Sequence, residues 1–196
     1  MGGNKKGTIS QNTASTYFSI LKAGLKQAFV DEYLTVDIGA KVKGITNIEK
    51  TRVALSMNEV QMLVDTPCKD DVLKRAFLFS ILTGLRHSDI QTLKWKQIQQ
   101  TSKGTWQAVI VQQKTKRPDY KPVIQQALQL CGERPNDEET LVFEGLTDAS
   151  WISRPLKVWI EASGIKKHIT FHCGRHSFAS LLLENGVDIY LSLIHI

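Results

Sequence analysis

Two short stretches of the chain combine arginine with groups suited to binding a phosphate. TGLRHSDI, residues 83–90, places Arg86 after a glycine turn at the start of a predicted helix, where free backbone N–H groups favour an anion. FHCGRHS, residues 171–177, places His172 and Arg175 three residues apart, on one face of a helix. A guanidinium presents a planar fork of donors that matches two phosphate oxygens. Phosphate chemistry is therefore one prediction for both stretches.

Two further charged residues could act beside Arg86. Asp89, one helical turn later, could orient that arginine or a nearby imidazole, although a surface Arg–Asp pair is common and stabilises little. Lys114 follows a predicted strand, so a hairpin tip could carry it over a neighbouring groove. A lysine whose pKa is lowered by nearby cations can protonate a leaving oxygen. The plainer interpretation of Lys114 is a charged loop with Lys116 and Arg117.

A metal site is a second prediction that the histidines allow. His172 and His176 have the H-x-x-x-H spacing of zinc ligands. However, Cys173 stands where the H-E-x-x-H metalloprotease motif has its glutamate, and Arg175 would bring a positive charge close to the metal. We therefore favour zinc less than phosphate. A buried structural histidine with a surface arginine is a third interpretation of this stretch alone.

Helices and one small antiparallel hairpin must position these residues, so we predict an α+β fold that is mostly α. Apolar residues at three- and four-residue spacing predict the helices, and Ser56 with Glu59 predicts a capping box. WQAVIVQQ predicts a strand at 106–113, with KPVI at 121–124 as the returning strand. The predicted helices cover residues 10–29, 56–64, 70–84, 87–95, 124–131, 148–164 and 172–186. The expected core residues include Leu63, Val64, Ile90, Leu93, Trp151, Leu156 and Trp159.

The helix at 10–29 has an apolar face that needs a partner. Its apolar positions are Tyr17, Ile20, Leu21, Leu25 and Phe29. One amphipathic helix cannot bury its own face, so this helix must dock on another part of the protein. Lys22 and Lys26 lie one turn apart beside that face, and residues 33–53 predict an extended, mildly basic linker.

Composition narrows the class of protein. With 42% apolar residues the chain is globular, and it has neither an apolar run long enough to span a membrane nor a signal peptide at Met1. Three scattered cysteines argue against a disulfide framework and favour a reducing, intracellular compartment. The net charge of +6 is uneven, since residues 1–53 and 101–130 are basic and residues 131–150 are acidic. This distribution is typical of a polyanion partner or of a solvated basic surface.

The order of these residues resembles a known family. Arg86, Lys114 and the pair His172 and Arg175 occur in sequence with a hairpin between two helical halves, as in the tyrosine recombinases, or phage-type integrases. The motifs that carry the resemblance are TGLRHSDI, the strand followed by KTKRP, and FHCGRHSFASLLLENGVDI. The resemblance is closest to integrases carried by mobile elements of Bacteroides-like bacteria. Gly174 stands where many members have a larger apolar residue, which leaves the packing there open.

The resemblance implies phosphoryl transfer without a metal or other cofactor. A tyrosine hydroxyl attacks a DNA phosphate, which leaves a 3′-phosphotyrosyl link and a free 5′-hydroxyl. Carried over by position, two arginines clamp the phosphate, a lysine protonates the leaving oxygen, a histidine hydrogen-bonds the phosphate or helps to move the tyrosine proton, and an aspartate steadies the site. Arg86 and Arg175 would be the clamps, and Lys114 would protonate the leaving oxygen. His172 would be the histidine, and Asp89 would be the aspartate that steadies the site.

The resemblance also implies domains and partners. Residues 1–48 would be the end of a helical core-binding domain and a linker, and residues 53–190 an incomplete catalytic domain. The expected partners are double-stranded DNA and other recombinase protomers in a tetrameric synapse, in the bacterial cytoplasm at the nucleoid, with no membrane. The residues expected to contact DNA, besides the catalytic ones, are Lys22, Lys26, Lys116 and Arg117.

The end of the chain departs from the family pattern. Tyr190 follows the preceding helix directly, where relatives approach a further helix, so we interpret it as structural. The nucleophilic tyrosine and a His or Trp box are expected further downstream. LSLIHI, residues 191–196, resembles the translation of a sequencing adaptor, and we expect it to be an artefact. The chain as given would then be inactive. The alternatives are a non-catalytic DNA-binding protein of the same fold, a type IB topoisomerase and, last, a zinc hydrolase.

Overall fold

The computed structural model describes residues 8–49, 51–111 and 117–186. These residues divide into two compact units between Thr51 and Arg52. Within the described ranges, no helix is long and apolar enough to cross a membrane. Four features discussed above lie outside the described residues: Lys114, Lys116, Tyr190 and the segment 191–196.

The first unit consists of one long helix and a segment that returns along it. Helix α1 spans Gln11–Val30, is capped by Ser10, and is followed by the short helix α2, Ile38–Lys41. The segment that we predicted to be an extended linker instead packs on α1. Ser15 Oγ donates to the Ile45 carbonyl at 2.8 Å, and Asn12 Nδ2 donates to the Ile48 carbonyl at 2.9 Å.

Polar side chains on one face of α1 explain this packing. They provide donors for carbonyl groups of residues 42–48 that have no sheet or helix partner. The apolar face that we expected to dock remains exposed at Tyr17, Ile20, Leu21 and Phe29. The prediction that residues 33–53 are extended throughout was wrong, because α2 lies within them. Their role as a linker stays a prediction.

The described residues of the second unit form six helices, a 3₁₀ turn and one sheet. The helices are α3 (Met57–Asp65), α4 (Asp71–Thr83), α5 (His87–Gln91), α6 (Gln125–Cys131), α7 (Ala149–Ala162) and α8 (Phe171–Glu184), with the 3₁₀ turn at Trp95–Gln97. The strands are β1 (Ile98–Gln100), β2 (Trp106–Val111) and β3 (Pro118–Val123). Neighbouring strands pair antiparallel in the order β1-β2-β3. This architecture confirms the predicted fold class, mostly α with a small antiparallel sheet.

The sheet differs from the predicted hairpin in two details. β1 adds a third strand, which is three residues long and therefore too short to show an alternating pattern. β3 begins at Pro118 rather than at Lys121, since Pro118 pairs with Val111 at the end of β2. A proline is tolerated as the first residue of an edge strand because its missing N–H faces no partner.

Helix α4 lies at the centre of this unit. Eight of its thirteen residues are buried, and it packs against α6, α8 and β3. Phe77 of α4 makes edge-on ring contacts with Trp159 of α7 and Phe171 of α8, with ring centroids 6.0 and 5.4 Å apart. Such contacts fix the relative position of the helices that carry the two arginine motifs.

Two packing predictions failed, one at a helix end and one on an exposed face. Trp151 is 75% exposed, because it lies in the first turn of α7 and faces away from the core. Val64 is also exposed, since α3 buries only Leu63.

Gly174 allows α8 to approach α4 closely. A Cβ atom at this position would lie 3.1 Å from Ser80 Oγ and 3.3 Å from Phe77 Cε2, both on α4. The glycine lowers the intrinsic stability of α8, but it removes the side chain that would separate the two helices. The open question about packing at Gly174 is thus answered by a close helix–helix contact.

We expect Gly174→Leu to lower the free energy of unfolding by about 1–3 kcal/mol, because the larger side chain overpacks the contact with Ser80 and Phe77. Urea unfolding followed by circular dichroism measures this change. Gly24→Ala is the control, since a Cβ there meets nothing within 4 Å and should stabilise α1. Equal stability of Gly174→Leu and the wild type would contradict the close contact.

Candidate active site

Hydrogen bonds fix the turn that carries Arg86. Gly84 ends α4 in the left-handed conformation, with φ of 68°, and a Cβ there would lie 2.5 Å from the Phe178 ring. Ser80 Oγ donates to the Leu85 carbonyl at 2.8 Å, and the Leu85 N–H donates to Thr83 Oγ1 at 3.4 Å. The turn therefore presents Arg86 to solvent at the start of α5 from a rigid base.

Asp89 contacts Arg86 through the backbone. The Arg86 N–H donates to Asp89 Oδ2 at 3.3 Å, so the carboxylate caps the first turn of α5. The side chain of Arg86 is exposed and provides no cap. α5 has only five residues, so its dipole adds little to anion binding. The expected anion affinity of this motif consequently depends on the Arg86 guanidinium.

His87 connects α5 to the elements around it. Its Nε2 atom lies 3.0 Å from the Thr147 carbonyl, and its ring packs edge-on against Phe171 at the start of α8, with centroids 5.0 Å apart. The sequence predictions give His87 no role. It helps to position the two arginine motifs relative to each other.

Arg175 lies under the same turn as Arg86. It is 5% exposed, and its Nη1 atom donates to the carbonyl of Gly84, two residues before Arg86. Burial and the positive charge of Arg86 lower the pKa of Arg175. The carboxylates of Asp89 and Asp119 act in the opposite direction. α8 and the α4–α5 turn thus bring both predicted arginines into one electropositive neighbourhood.

The rings of His172 and His176 on α8 are in contact, and both histidines have a lowered pKa. Their rings meet edge-on, with centroids 4.6 Å apart. Burial, followed by the charges of Arg175 and Arg86, lowers the pKa of His172 below its ordinary value of 6.5. Burial and the neighbouring His172 and Arg52 likewise lower the pKa of His176. A neutral imidazole can donate one hydrogen bond to a phosphate and accept another.

We expect stability to fall as the pH is lowered below 6.5. Unfolded His172 and His176 take up protons there while the folded state resists protonation, so acid favours unfolding. Urea unfolding between about pH 7.5 and 5.5 measures this slope. The double variant His172→Gln/His176→Gln should show a shallower slope. An unchanged slope in the variant would contradict the lowered pKa values.

Two charged residues of β3 also belong to this neighbourhood and were not predicted. Lys121 is buried and pairs with Asp119, with Nζ and Oδ2 3.2 Å apart. The charge of Arg175 lowers the pKa of Lys121, and the charge of Asp119 favours the charged form of Arg175. A sequence signal existed, since charges stand at alternate positions of a strand whose inward face should be apolar.

The other predicted residues are placed as follows. Arg117 is exposed and directly precedes β3, whereas Lys114 and Lys116 lie outside the described residues. In the first unit, Lys22 Nζ donates to the Val42 carbonyl at 2.8 Å, and Lys26 is exposed. Lys22 therefore has a structural contact within its own unit.

The described residues hold no group of three or more His, Cys, Asp or Glu side chains placed to bind a metal ion. The exposed Arg86, the buried Arg175 and the imidazole of His172, whose pKa is lowered, are suited to an oxyanion with several acceptor oxygens. Two guanidinium groups can neutralise a phosphate that gains charge during substitution. The arrangement therefore fits phosphoryl transfer.

Known proteins share sequence and fold with this chain. The model of the phage integrase family matches residues 54–191. Tyrosine recombinase XerD of Listeria innocua serovar 6a is 27% identical over 92% of this chain and 65% of the relative. Its counterpart from Listeria monocytogenes serotype 4b is 35% identical over 55% of this chain and 39% of the relative. The chain thus spans less than two thirds of these relatives, and a Bacteroides-like origin stays a prediction.

Solved structures show the same fold. A lambda integrase dimer bound to a COC′ core site has a TM-score of 0.70 at 20% identity, covering 95% of this chain and 71% of that one. A lambda integrase tetramer bound to a Holliday junction has a TM-score of 0.69 at 20% identity, covering 95% of this chain and 58% of that one. Since the family model covers the unit with both arginine motifs, the chain belongs to the phage integrase family of tyrosine recombinases.

Proposed function

We propose that the intact protein catalyses site-specific DNA recombination through a 3′-phosphotyrosyl intermediate, in integration or excision of a mobile element. The observation that carries the proposal is the contact between Arg175 and the carbonyl of Gly84, which brings one arginine under the turn that presents the other. Two arginines on separate elements can contact different oxygens of one phosphate. Family membership supports the same reaction class.

The proposed reaction assigns one task to each residue. The phenolic oxygen of a tyrosine forms a bond to phosphorus as the bond from phosphorus to the 5′-oxygen breaks. Arg86 and Arg175 neutralise the charge on the non-bridging oxygens. Lys114 gives a proton to the leaving 5′-oxygen, and His172 hydrogen-bonds the phosphate or accepts the tyrosine proton. We propose that the attacking tyrosine is a residue other than Tyr190.

The proposal also assigns the two units and the partners. The first unit would be the end of a core-binding domain in which Lys26 contacts DNA, and the second would be the catalytic domain. The lambda integrase structures contain a DNA-bound dimer and a tetramer on a Holliday junction. By analogy, the partners would be double-stranded DNA and three further protomers in the cytoplasm, where the substrate lies.

A nicked DNA duplex with the element's junction sequence tests the proposal. The full-length protein should form an adduct that survives denaturation and carries the DNA through its 3′-phosphate. Binding without an adduct would instead favour a non-catalytic DNA-binding protein. An adduct that relaxes supercoils but never joins two different sites would favour a type IB topoisomerase.

A further inference from the structure

Two described residues bury a charged side chain, and they lie on different elements. Arg175 of α8 is 5% exposed and Lys121 of β3 is 2% exposed. Removing a charge from water is costly unless it is paired and hydrogen-bonded. The proposed phosphate clamp gives a reason for the burial of Arg175. Nothing in the proposed reaction uses Lys121.

Lys121 occupies a place in the sheet that suits an apolar residue. It lies opposite Ala108 of β2, and the strand alternation puts it on the same face as the buried Val123. Its partner Asp119 lies two residues earlier on this face, with Oδ2 3.2 Å from Lys121 Nζ. The Lys121 side chain is 3% exposed and that of Asp119 is 28% exposed. In the other ion pairs of the described residues, both side chains are at least 20% exposed.

The carboxylate of Asp119 acts on two cations. It favours the charged form of Lys121, whose pKa is lowered by burial and by the charges of Arg175 and Arg86. It also favours the charged form of Arg175. α4 packs against both β3, which carries Lys121 and Asp119, and α8, which carries Arg175. Asp119 is therefore a possible competitor for the guanidinium that the phosphate requires.

We propose that Lys121 is a positioning residue that engages Asp119 and so keeps the Arg175 guanidinium available to a phosphate. The inference rests on the proposed function, in which Arg175 clamps the scissile phosphate. Without the Lys121 ammonium, the Asp119 carboxylate would pair with the Arg175 guanidinium. A phosphate would then have to displace a carboxylate before it could bind.

Inorganic phosphate is a probe that requires no DNA cleavage. A ligand that binds only the folded state raises the midpoint of unfolding with its concentration. The full chain is unfolded in urea at rising phosphate, with sodium chloride keeping the ionic strength constant. Phosphate also stabilises proteins generally by exclusion, so only differences between variants are interpreted.

Lys121→Met removes the charge but keeps a long, unbranched side chain. We expect this variant to need about tenfold more phosphate than the wild type for the same shift in the unfolding midpoint. A tenfold change corresponds to the loss of roughly one charge-assisted hydrogen bond. Asp119→Asn/Lys121→Met should return to within about twofold of the wild type, because the competing carboxylate is gone. Lys96→Met, which breaks the exposed pair with Glu139 at 2.6 Å, is the matched control and should respond like the wild type.

Three results would overturn the inference: a wild-type phosphate response in Lys121→Met, a double variant as weak as the single one, or a wild type that responds no more than Arg86→Ala. If Lys121→Met fails to fold, Asp119→Asn decides, since it must bind phosphate at least as well as the wild type. A normal phosphate response without a covalent DNA adduct would count against the proposed function only. An adduct with no effect of Lys121 on phosphate binding would count against this inference only.

Discussion

Arg175→Ala is expected to lower the free energy of unfolding by about 1–3 kcal/mol and to reduce covalent attachment to DNA at least about 10²- to 10³-fold. The loss of stability arises because the Gly84 carbonyl loses its buried donor. The loss of attachment arises because the phosphate keeps only one guanidinium. The variant no longer buries a charge, which offsets part of the loss of stability but none of the loss of attachment.

Arg175→Lys separates these two effects. Lysine keeps a positive charge and can donate to Gly84, but it lacks the planar fork that contacts two oxygens. We expect this variant to retain most of the stability and still to attach poorly. Urea unfolding and adduct formation on nicked DNA measure the two quantities. Full attachment by the lysine variant would show that charge alone is sufficient at this position.

Arg86→Ala should abolish attachment to a similar degree without destabilising the fold. Its side chain is exposed and provides no helix cap, so we expect the free energy of unfolding to change by less than about 0.5 kcal/mol. The expected loss of attachment is again about 10²- to 10³-fold, since the arginine stabilises only the reacting phosphate. The contrast with Arg175→Ala follows from burial alone.

Arg154→Ala is the matched control for Arg86→Ala. Arg154 is an exposed arginine on α7, so its replacement removes the same charge from the surface of the same unit. We expect it to weaken DNA binding slightly at low salt and to leave attachment of bound DNA unchanged. Equal loss of attachment in both variants would mean that Arg86 contributes only to the overall charge.

The sequence predicted the elements that carry the site because their local signals are strong. Ser56 and Glu59 form the predicted capping box, and Asn185 and Gly186 end α8 as expected. Arg86 and Arg175 could be selected because turn glycines and helical spacing put each at a defined place in its own element. Their common neighbourhood, however, depends on the contact between α8 and the α4–α5 turn, which no local pattern encodes.

The missed features share a dependence on distant partners. The need for glycine at position 174 arises from the close approach of Ser80 on α4. The course of residues 42–48 depends on hydrogen bonds from the polar face of α1. Lys121 stands in a charged, turn-rich segment, where a lysine normally lies in solvent, and this signal outweighs the alternation of Asp119 and Lys121 along the strand. Its burial follows from the register of β3 against β2, which sets Lys121 opposite Ala108. Features set by local sequence could therefore be predicted, whereas features set by contacts between distant elements could not.

The most direct test of the central claim uses DNA in which the scissile phosphate is replaced by an uncharged methylphosphonate. If Arg86 acts by neutralising phosphate charge, a substrate without that charge no longer needs it. Full-length Arg86→Ala should then form the covalent adduct on the methylphosphonate and fail on the ordinary phosphate, while the wild type attaches to the phosphate. Normal attachment of Arg86→Ala to the ordinary phosphate would contradict the account, as would failure on both substrates by a variant that still folds and binds DNA.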